Sequence, residues 1–211
     1  MLARLLAPPL CWGCGAPARR GEPLCLGCRR SLRHLGREPV EVAGLLTWAP
    51  VAYEGPAREL VRGLKFRGAI ALADAMAAPM AAGAPEAILP RADDSPAPML
   101  VPVPLHPARR RRRGFNQAAV LAEALARRTG RAVADCLARS GGAGSQVGRP
   151  RSLRLAAPPG RIHVQGSVPA LAVVVDDVAT TGATLSACAR ALRAAGARDV
   201  RGLAYARTPG R

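Results

Sequence analysis

The chain has 211 residues, of which 49% are hydrophobic and 3% aromatic, and its formal net charge at pH 7 is +17. This length suits one α/β domain with a small appendage, whose core must be built from Ala, Val and Leu. Apolar runs long enough for a membrane span are absent from the sequence, and the short apolar N-terminus lacks a basic leader, so we expect a cytoplasmic protein. The positive charge favours polyanionic partners, either nucleic acid or phosphorylated small molecules.

Two CxxC pairs lie close together near the N-terminus: Cys11, Cys14, Cys25 and Cys28. Each pair can close a tight turn in which two thiolates converge on one tetrahedral metal ion. Four cysteines in so short a segment favour Zn²⁺ over disulfides in a cytoplasmic chain, with a redox CxxC as the alternative. The sequence therefore predicts a structural zinc ribbon over residues 1–36, followed by a second domain over residues 37–211.

In the first half of the second domain, the sequence predicts a strand, two helices and another strand. The first strand covers residues 45–53 and is bent at Pro50. The helix that follows has apolar residues on one face and ends near Lys65, which we interpret as an exposed lysine, although it can also reach a phosphate. A second helix over residues 70–82, a surface loop over 83–98 and a buried strand over 99–104 come next.

The next predicted loop covers residues 105–117 and holds five consecutive arginines, Arg109 to Arg113. Asn116 is predicted to cap a helix that ends at Gly130. We predict another strand over residues 131–137. The composition of residues 139–160, which is rich in Gly, Arg and Pro, predicts a mobile loop.

The most informative segment begins at Leu171 with an unbroken apolar run, which is typical of a central strand in a parallel sheet. Asp176 and Asp177 follow at the carboxyl end of this strand, where ligands bind in open α/β sheets. A Thr/Gly loop then opens a helix, whose free N–H groups can hold a phosphate. Carboxylates beside a phosphate-binding loop suit ribose hydroxyls or Mg²⁺, so the sequence predicts a ribose phosphate site. Because strands alternate with helices, we expect a mostly parallel sheet flanked by helices.

The segment from Val174 to Thr184 resembles the phosphoribosyl pyrophosphate (PRPP) motif of type I phosphoribosyltransferases. The resemblance implies a fold of that type, in which the acidic pair holds the ribose 2′ and 3′ hydroxyls. It also implies that the loop wraps the 5′-phosphate of PRPP, which binds together with Mg²⁺. The residues implied to bind PRPP are Asp176, Asp177, Ala179, Thr180, Thr181, Gly182, Ala183 and Thr184.

The order of motifs along nearly the whole chain resembles the ComF family, phosphoribosyltransferase-like proteins linked to bacterial competence and the handling of incoming DNA. Its motifs are the four-cysteine ribbon, Tyr53-Glu54-Gly55, Leu64-Lys65-Phe66, Pro102-Val103-Pro104-Leu105-His106, Arg113-Gly114-Phe115-Asn116-Gln117 and the PRPP segment. By analogy with the wider phosphoribosyltransferases, Arg109 and Arg113 are expected to meet the pyrophosphate, since arginine binds phosphate oxygens bidentately.

The resemblance extends to the predicted mobile loop. Gln146 and Arg154 match the recurring Gln and Arg of the family's flexible loop, which would close over PRPP. The chain departs from the family at Ala157, where an asparagine is expected.

Two functions follow from these observations. The first is a PRPP-binding phosphoribosyltransferase-like protein that acts in DNA uptake or processing, with an acceptor that the sequence does not identify. The second is a nucleic-acid-binding adaptor that keeps the PRPP fold without catalysis. The basic charge and the arginine run suit the backbone of single-stranded DNA, although few aromatic residues are present to stack bases. Competence or DNA-processing proteins are the expected protein partners.

Overall fold

The structure is a computed structural model that describes residues 9–90, 96–140 and 161–210. Within these residues the strands are β1 (Val40–Val42), β2 (Leu45–Trp48), β3 (Val51–Ala52), β4 (Met99–Pro102), β5 (Leu137–Ser140), β6 (Arg161–Val164), β7 (Leu171–Ala179) and β8 (Asp199–Arg207). The helices are α1 (Leu26–Arg30), α2 (Gly55–Arg67), α3 (Leu72–Gly83), α4 (Pro107–Arg113), α5 (Gln117–Thr129) and α6 (Ala183–Ala194).

The main sheet is mostly parallel, as the sequence predicts. Its strand order is β1-β2-β8-β7-β4, and β3 also pairs with β8. The strands pair in parallel except β1, which is antiparallel to β2 at one edge. Strands β5 and β6 form a separate antiparallel pair. The long strand β7 therefore lies inside the sheet, between β8 and β4.

Strand β7 is buried because helices cover both faces of the sheet. Val173 and Val175 point into one apolar cluster, which they share with residues of α2, α3 and α5. Ala172 and Val174 point into a second cluster, which they share with residues of α6. Alternate residues of a strand face opposite sides of its sheet, so a strand covered on both faces is apolar throughout. This packing explains the unbroken apolar run.

Two predicted helices form where the sequence places them: the helix that precedes Gly68 is α2, and the helix between Asn116 and Gly130 is α5. Helix α2 ends at Gly68, whose φ of 63° is in the left-handed region. Helix α5 begins at Asn116, whose side chain accepts a hydrogen bond from the N–H of Ala118, and it ends at Gly130 with a φ of 69°. These caps act locally, which is why the sequence predicts them well.

Two local predictions are wrong. The predicted loop over residues 105–117 contains α4, because His106 accepts a hydrogen bond from the N–H of Ala108, Pro107 fills the first turn and Gly114 ends the helix. Four of the five arginines of α4, Arg110 to Arg113, lie in its last turn, where positive charge is favourable. The strand predicted over residues 131–137 begins only at Leu137, after a single bridge between Leu100 and Val133.

Other predictions stay untested. Residues 141–160 of the predicted mobile loop lie outside the described residues, and so do Gln146 and Arg154. The division of the chain at residue 36 stays a prediction. In the part of the chain that the structure describes, helices of the length and hydrophobicity needed to cross a membrane are absent.

Candidate functional site

The acidic pair lies at the carboxyl end of β7 and is buried. Asp176 is 9% exposed and Asp177 2% exposed. The N–H of Asp177 donates a hydrogen bond to Oδ1 of Asp176 at 2.8 Å, which fixes the first carboxyl group. Two buried carboxyl groups side by side require positive charge or protons around them.

Lys65 supplies positive charge to Asp177. Its Nζ lies 2.6 Å from Oδ2 of Asp177, and its side chain is 22% exposed. The interpretation of Lys65 as an exposed lysine at a helix end is therefore wrong. The apolar face of α2 packs against the sheet and turns Lys65 toward the end of β7, which local sequence patterns do not reveal. The signal that the sequence offered was the Leu64-Lys65-Phe66 motif.

Gln117 and Arg113 extend this network. Nε2 of Gln117 lies 3.5 Å from Oδ1 of Asp177, and Nη1 of Arg113 donates a hydrogen bond to Oε1 of Gln117. The guanidinium of Arg113 also lies 5.6 Å from the centre of the Phe66 ring. Burial lowers the pKa of Arg113, and the charge of Asp177 opposes this effect. Arg113 is thus linked to Asp177 indirectly, by hydrogen bonds through Gln117.

The other carboxyl group, Asp176, holds its proton more tightly than an ordinary aspartate. Burial raises its pKa well above the usual value, and the neighbouring charge of Asp177 raises it further. The charge of Lys65 acts in the opposite direction. A cation or a hydrogen-bond donor that enters the site would favour the ionised form of Asp176.

The loop after β7 turns into α6 at a glycine. Gly182 has a φ of 71° and stands directly before α6. A Cβ at this position would also overlap the side chain of Val42, so only glycine fits. Thr180, Thr181 and Ala183 are exposed around it, and the N–H of Ala183 donates a hydrogen bond to Oγ1 of Thr181 at 3.4 Å.

The acidic pair and part of the loop after β7 line a cavity of about 300 Å³ at the end of β7. Of the predicted site residues, Asp176, Asp177, Thr180, Thr184 and Arg109 line it. Arg113, Thr181, Gly182 and Ala183 are not among the residues that line it, and Ala179 is buried in the core. Sequence reasoning did not assign to the site four lining residues with polar side chains: Tyr53, Lys65, Gln117 and Arg139. The cavity therefore combines two carboxylates, three cationic side chains and the threonines of the loop.

The four N-terminal cysteines form a separate cluster. Their sulfur atoms lie within 4.8 Å of one another, and those of Cys14 and Cys25 are 3.7 Å apart. Tetrahedral Zn–S bonds place sulfur atoms about 3.8 Å apart, so the four thiols can hold a metal ion such as zinc. Burial raises the pKa of the Cys11 thiol, but N–H groups of Cys25, Cys14 and Gly13 overcome this effect and lower it to about 6.

The cysteine cluster packs on the helix that carries Lys65. A Cβ at Gly13 would meet Sγ of Cys28 at 2.9 Å and Cβ of Pro56, near the start of α2, at 3.3 Å. Cys11 is buried in the same apolar cluster as residues of α2 and α3. The cysteine segment therefore shares a core with α2.

Comparison with known proteins gives no family for this chain. A scan against protein-family models found no match, and a search of curated proteins found no relative. The cavity at the end of β7 and the cysteine cluster thus carry the functional interpretation.

Proposed function

We propose that the protein binds PRPP with Mg²⁺ in the cavity at the end of β7, on a fold of the type I phosphoribosyltransferase kind, as the ComF resemblance implies. The observation that carries the proposal is the meeting of Asp176 and Asp177, the glycine-containing loop and the cationic side chains around one cavity. A ribose phosphate needs these three groups, for its hydroxyls, its phosphate and its remaining negative charge.

Each part of the ligand has a counterpart in the cavity. The carboxylates of Asp176 and Asp177 would accept hydrogen bonds from the ribose hydroxyls. The N–H groups and hydroxyls of residues 180–184 would hold the 5′-phosphate. Arg109 also lines the cavity and would bind pyrophosphate oxygens.

A phosphoribosyl transfer would follow from this arrangement. An acceptor would form a bond to the anomeric carbon, the bond from that carbon to pyrophosphate would break, and pyrophosphate would leave with the electron pair. The oxygen ligands of Asp176 and Asp177 suit Mg²⁺, whose contribution would be to neutralise charge on the pyrophosphate. Lys65, Gln117 and Arg113 would hold Asp177 in place for this role.

Calorimetric titration of PRPP with Mg²⁺ tests the proposal. We expect binding to the wild-type protein and its loss in the double variant Asp176→Asn/Asp177→Asn. Asp135→Asn removes one carboxylate from an exposed position outside this cavity and should leave binding unchanged. Equal binding by the double variant and the wild type would refute the assignment of the site. Release of pyrophosphate in the presence of an acceptor pool would then distinguish an enzyme from a binding protein.

One observation favours the second candidate function, a nucleic-acid-binding adaptor in DNA uptake or processing. Helix α4 exposes four arginines, Arg109 to Arg112, at the edge of the cavity. Such a helix can bind the backbone of single-stranded DNA by charge alone. Fluorescence anisotropy should then show binding that weakens steeply with salt and is reduced by Arg111→Ala/Arg112→Ala. Binding that is insensitive to salt would contradict this function.

A further inference from the structure

A second cavity lies beside the first, between the strand pair β5–β6 and helix α6. Its volume is about 540 Å³, which exceeds the about 300 Å³ of the cavity at the end of β7. Ile162, Ala187 and Ala191 give it an apolar floor. Arg139 and Thr184 line both cavities, so the two adjoin each other.

The rim of the second cavity is positively charged. Arg139, Arg161 and Arg190 line it, and none of the described residues on its wall is acidic. Nη1 of Arg190 donates a hydrogen bond to Oγ of Ser186 at 2.9 Å. Ser186 lies one turn closer to the start of α6, so this bond directs the guanidinium toward the Thr/Gly loop. An arginine rim above an apolar floor suits an anion with an apolar body.

The charge of the rim favours an anionic occupant. Three arginines line the cavity and the described residues of its wall include no carboxylate, so an anionic molecule is attracted to it.

We propose that the second cavity binds a phosphate ester with an apolar body, of the size of a nucleotide. Its phosphate would lie between Arg161 and Arg190, since guanidinium groups bind phosphate oxygens in pairs. Its apolar part would lie on the alanines of α6. This cavity shares Ala183 and Thr184 with the loop proposed to hold the 5′-phosphate of PRPP, but neither Asp176 nor Asp177 lines it. The inference can therefore be tested in a protein that lacks both carboxylates. A free nucleotide and the end of a nucleic acid strand both present this chemistry.

The test is a calorimetric titration of thymidine monophosphate into the Asp176→Asn/Asp177→Asn protein, in which the first cavity is altered. We expect one-to-one binding, and binding at least about tenfold weaker for thymidine, which lacks the phosphate. The variant Arg161→Ala/Arg190→Ala should bind the monophosphate at least about tenfold more weakly than the protein that keeps both arginines. The matched control Arg198→Ala removes an exposed arginine beyond the far end of α6 and should leave the affinity unchanged.

A second variant guards against a folding defect in the first. Ala187→Glu places a carboxylate on the floor of the cavity and should abolish binding of the monophosphate through repulsion. A four-nucleotide oligothymidylate that binds more tightly than the monophosphate would identify a nucleic acid strand as the source. Equal affinity would identify a free nucleotide.

Three results would overturn the inference. The first is absence of thymidine monophosphate binding to the wild-type protein. The second is binding that the aspartate variant loses, which would assign the monophosphate to the first cavity. The third is an equal effect of Arg198→Ala and Arg161→Ala/Arg190→Ala, which would indicate charge without a site. Failure of PRPP to bind would refute the proposed function and leave this inference standing.

Discussion

The indole ring of Trp12 packs directly on Gly63 of α2, where an added Cβ would come within 2.8 Å of the ring. Trp12 stands between two cysteines of the four-cysteine cluster, and Gly63 stands two residues before Lys65. The guanidinium of Arg67 lies 5.6 Å from the centre of the same ring. The cysteine segment therefore packs against the part of α2 from which Lys65 reaches Asp177.

Replacing Gly63 by alanine should disturb this contact. The added methyl group would collide with the Trp12 ring and with Leu72, and only the end of the Leu72 side chain can move easily. Alanine favours a helix by less than 1 kcal/mol over glycine, so we expect a net loss of about 1–2 kcal/mol in the free energy of unfolding. Chemical denaturation measures this change. Gly36→Ala, with open space around its Cβ, is the control. Equal stability of Gly63→Ala and wild type would contradict the contact.

Loss of a cysteine ligand should remove the metal and loosen α2. Cys14 is exposed, so Cys14→Ser changes little apart from metal binding. We expect its metal content to fall and its free energy of unfolding to decrease by several kcal/mol, since metal binding stabilises folded ribbons. Mass spectrometry of the bound metal and denaturation measure these effects. Cys136→Ala lies outside the cluster and should keep the metal, whereas an unchanged metal content in Cys14→Ser would exclude this thiol as a ligand.

Removing Lys65 should leave the buried charge of Asp177 without its cation. Because the side chain of Lys65 retains some contact with water, we expect Lys65→Met to lower the free energy of unfolding by about 1–3 kcal/mol. Lys65→Met/Asp177→Asn should be more stable than Lys65→Met alone, because the second change removes the unpaired charge. Lys65→Arg keeps the charge as a control. Additive effects of the two changes would show that the pair is not coupled.

The buried carboxyl group of Asp176 should make stability depend on pH. Burial and the charge of Asp177 raise the pKa of Asp176. Its contribution to the free energy of unfolding is therefore fully present below the ordinary aspartate pKa of about 4. This stability is lost as the pH rises toward the raised pKa. An asparagine at this position stays neutral, so Asp176→Asn should remove this loss. We expect it to raise the free energy of unfolding by about 1–2 kcal/mol at pH 7.

Denaturant titrations of wild type and Asp176→Asn from about pH 4 to about pH 8 check this prediction. The difference in free energy of unfolding should grow with pH, while PRPP binding should be lost in the variant. Asp135→Asn, an exposed change, should follow the wild-type curve. Parallel curves for wild type and Asp176→Asn would show that burial does not shift this group.

The elements that sequence patterns predicted best are those whose signals are local. The apolar run of β7 and the caps at Asn116 and Gly130 each depend on a few neighbouring residues. Helix α4 was missed because its arginines were read as a basic loop, although Pro107 and Gly114 mark its ends. Arginine is a good helix former, so the caps were the better signal.

The sequence by itself determined the spacing of the four cysteines and the succession of strand, acidic pair and loop, because these groups are neighbours along the chain. It thereby predicted the metal cluster, the mostly parallel sheet and the position of the cavity. The tertiary structure decided which distant side chains complete that cavity. Lys65 and Gln117 reach Asp177, and Arg190 borders the second cavity, because helices pack at particular places on the sheet. Such contacts depend on the packing of whole elements, which no local pattern encodes.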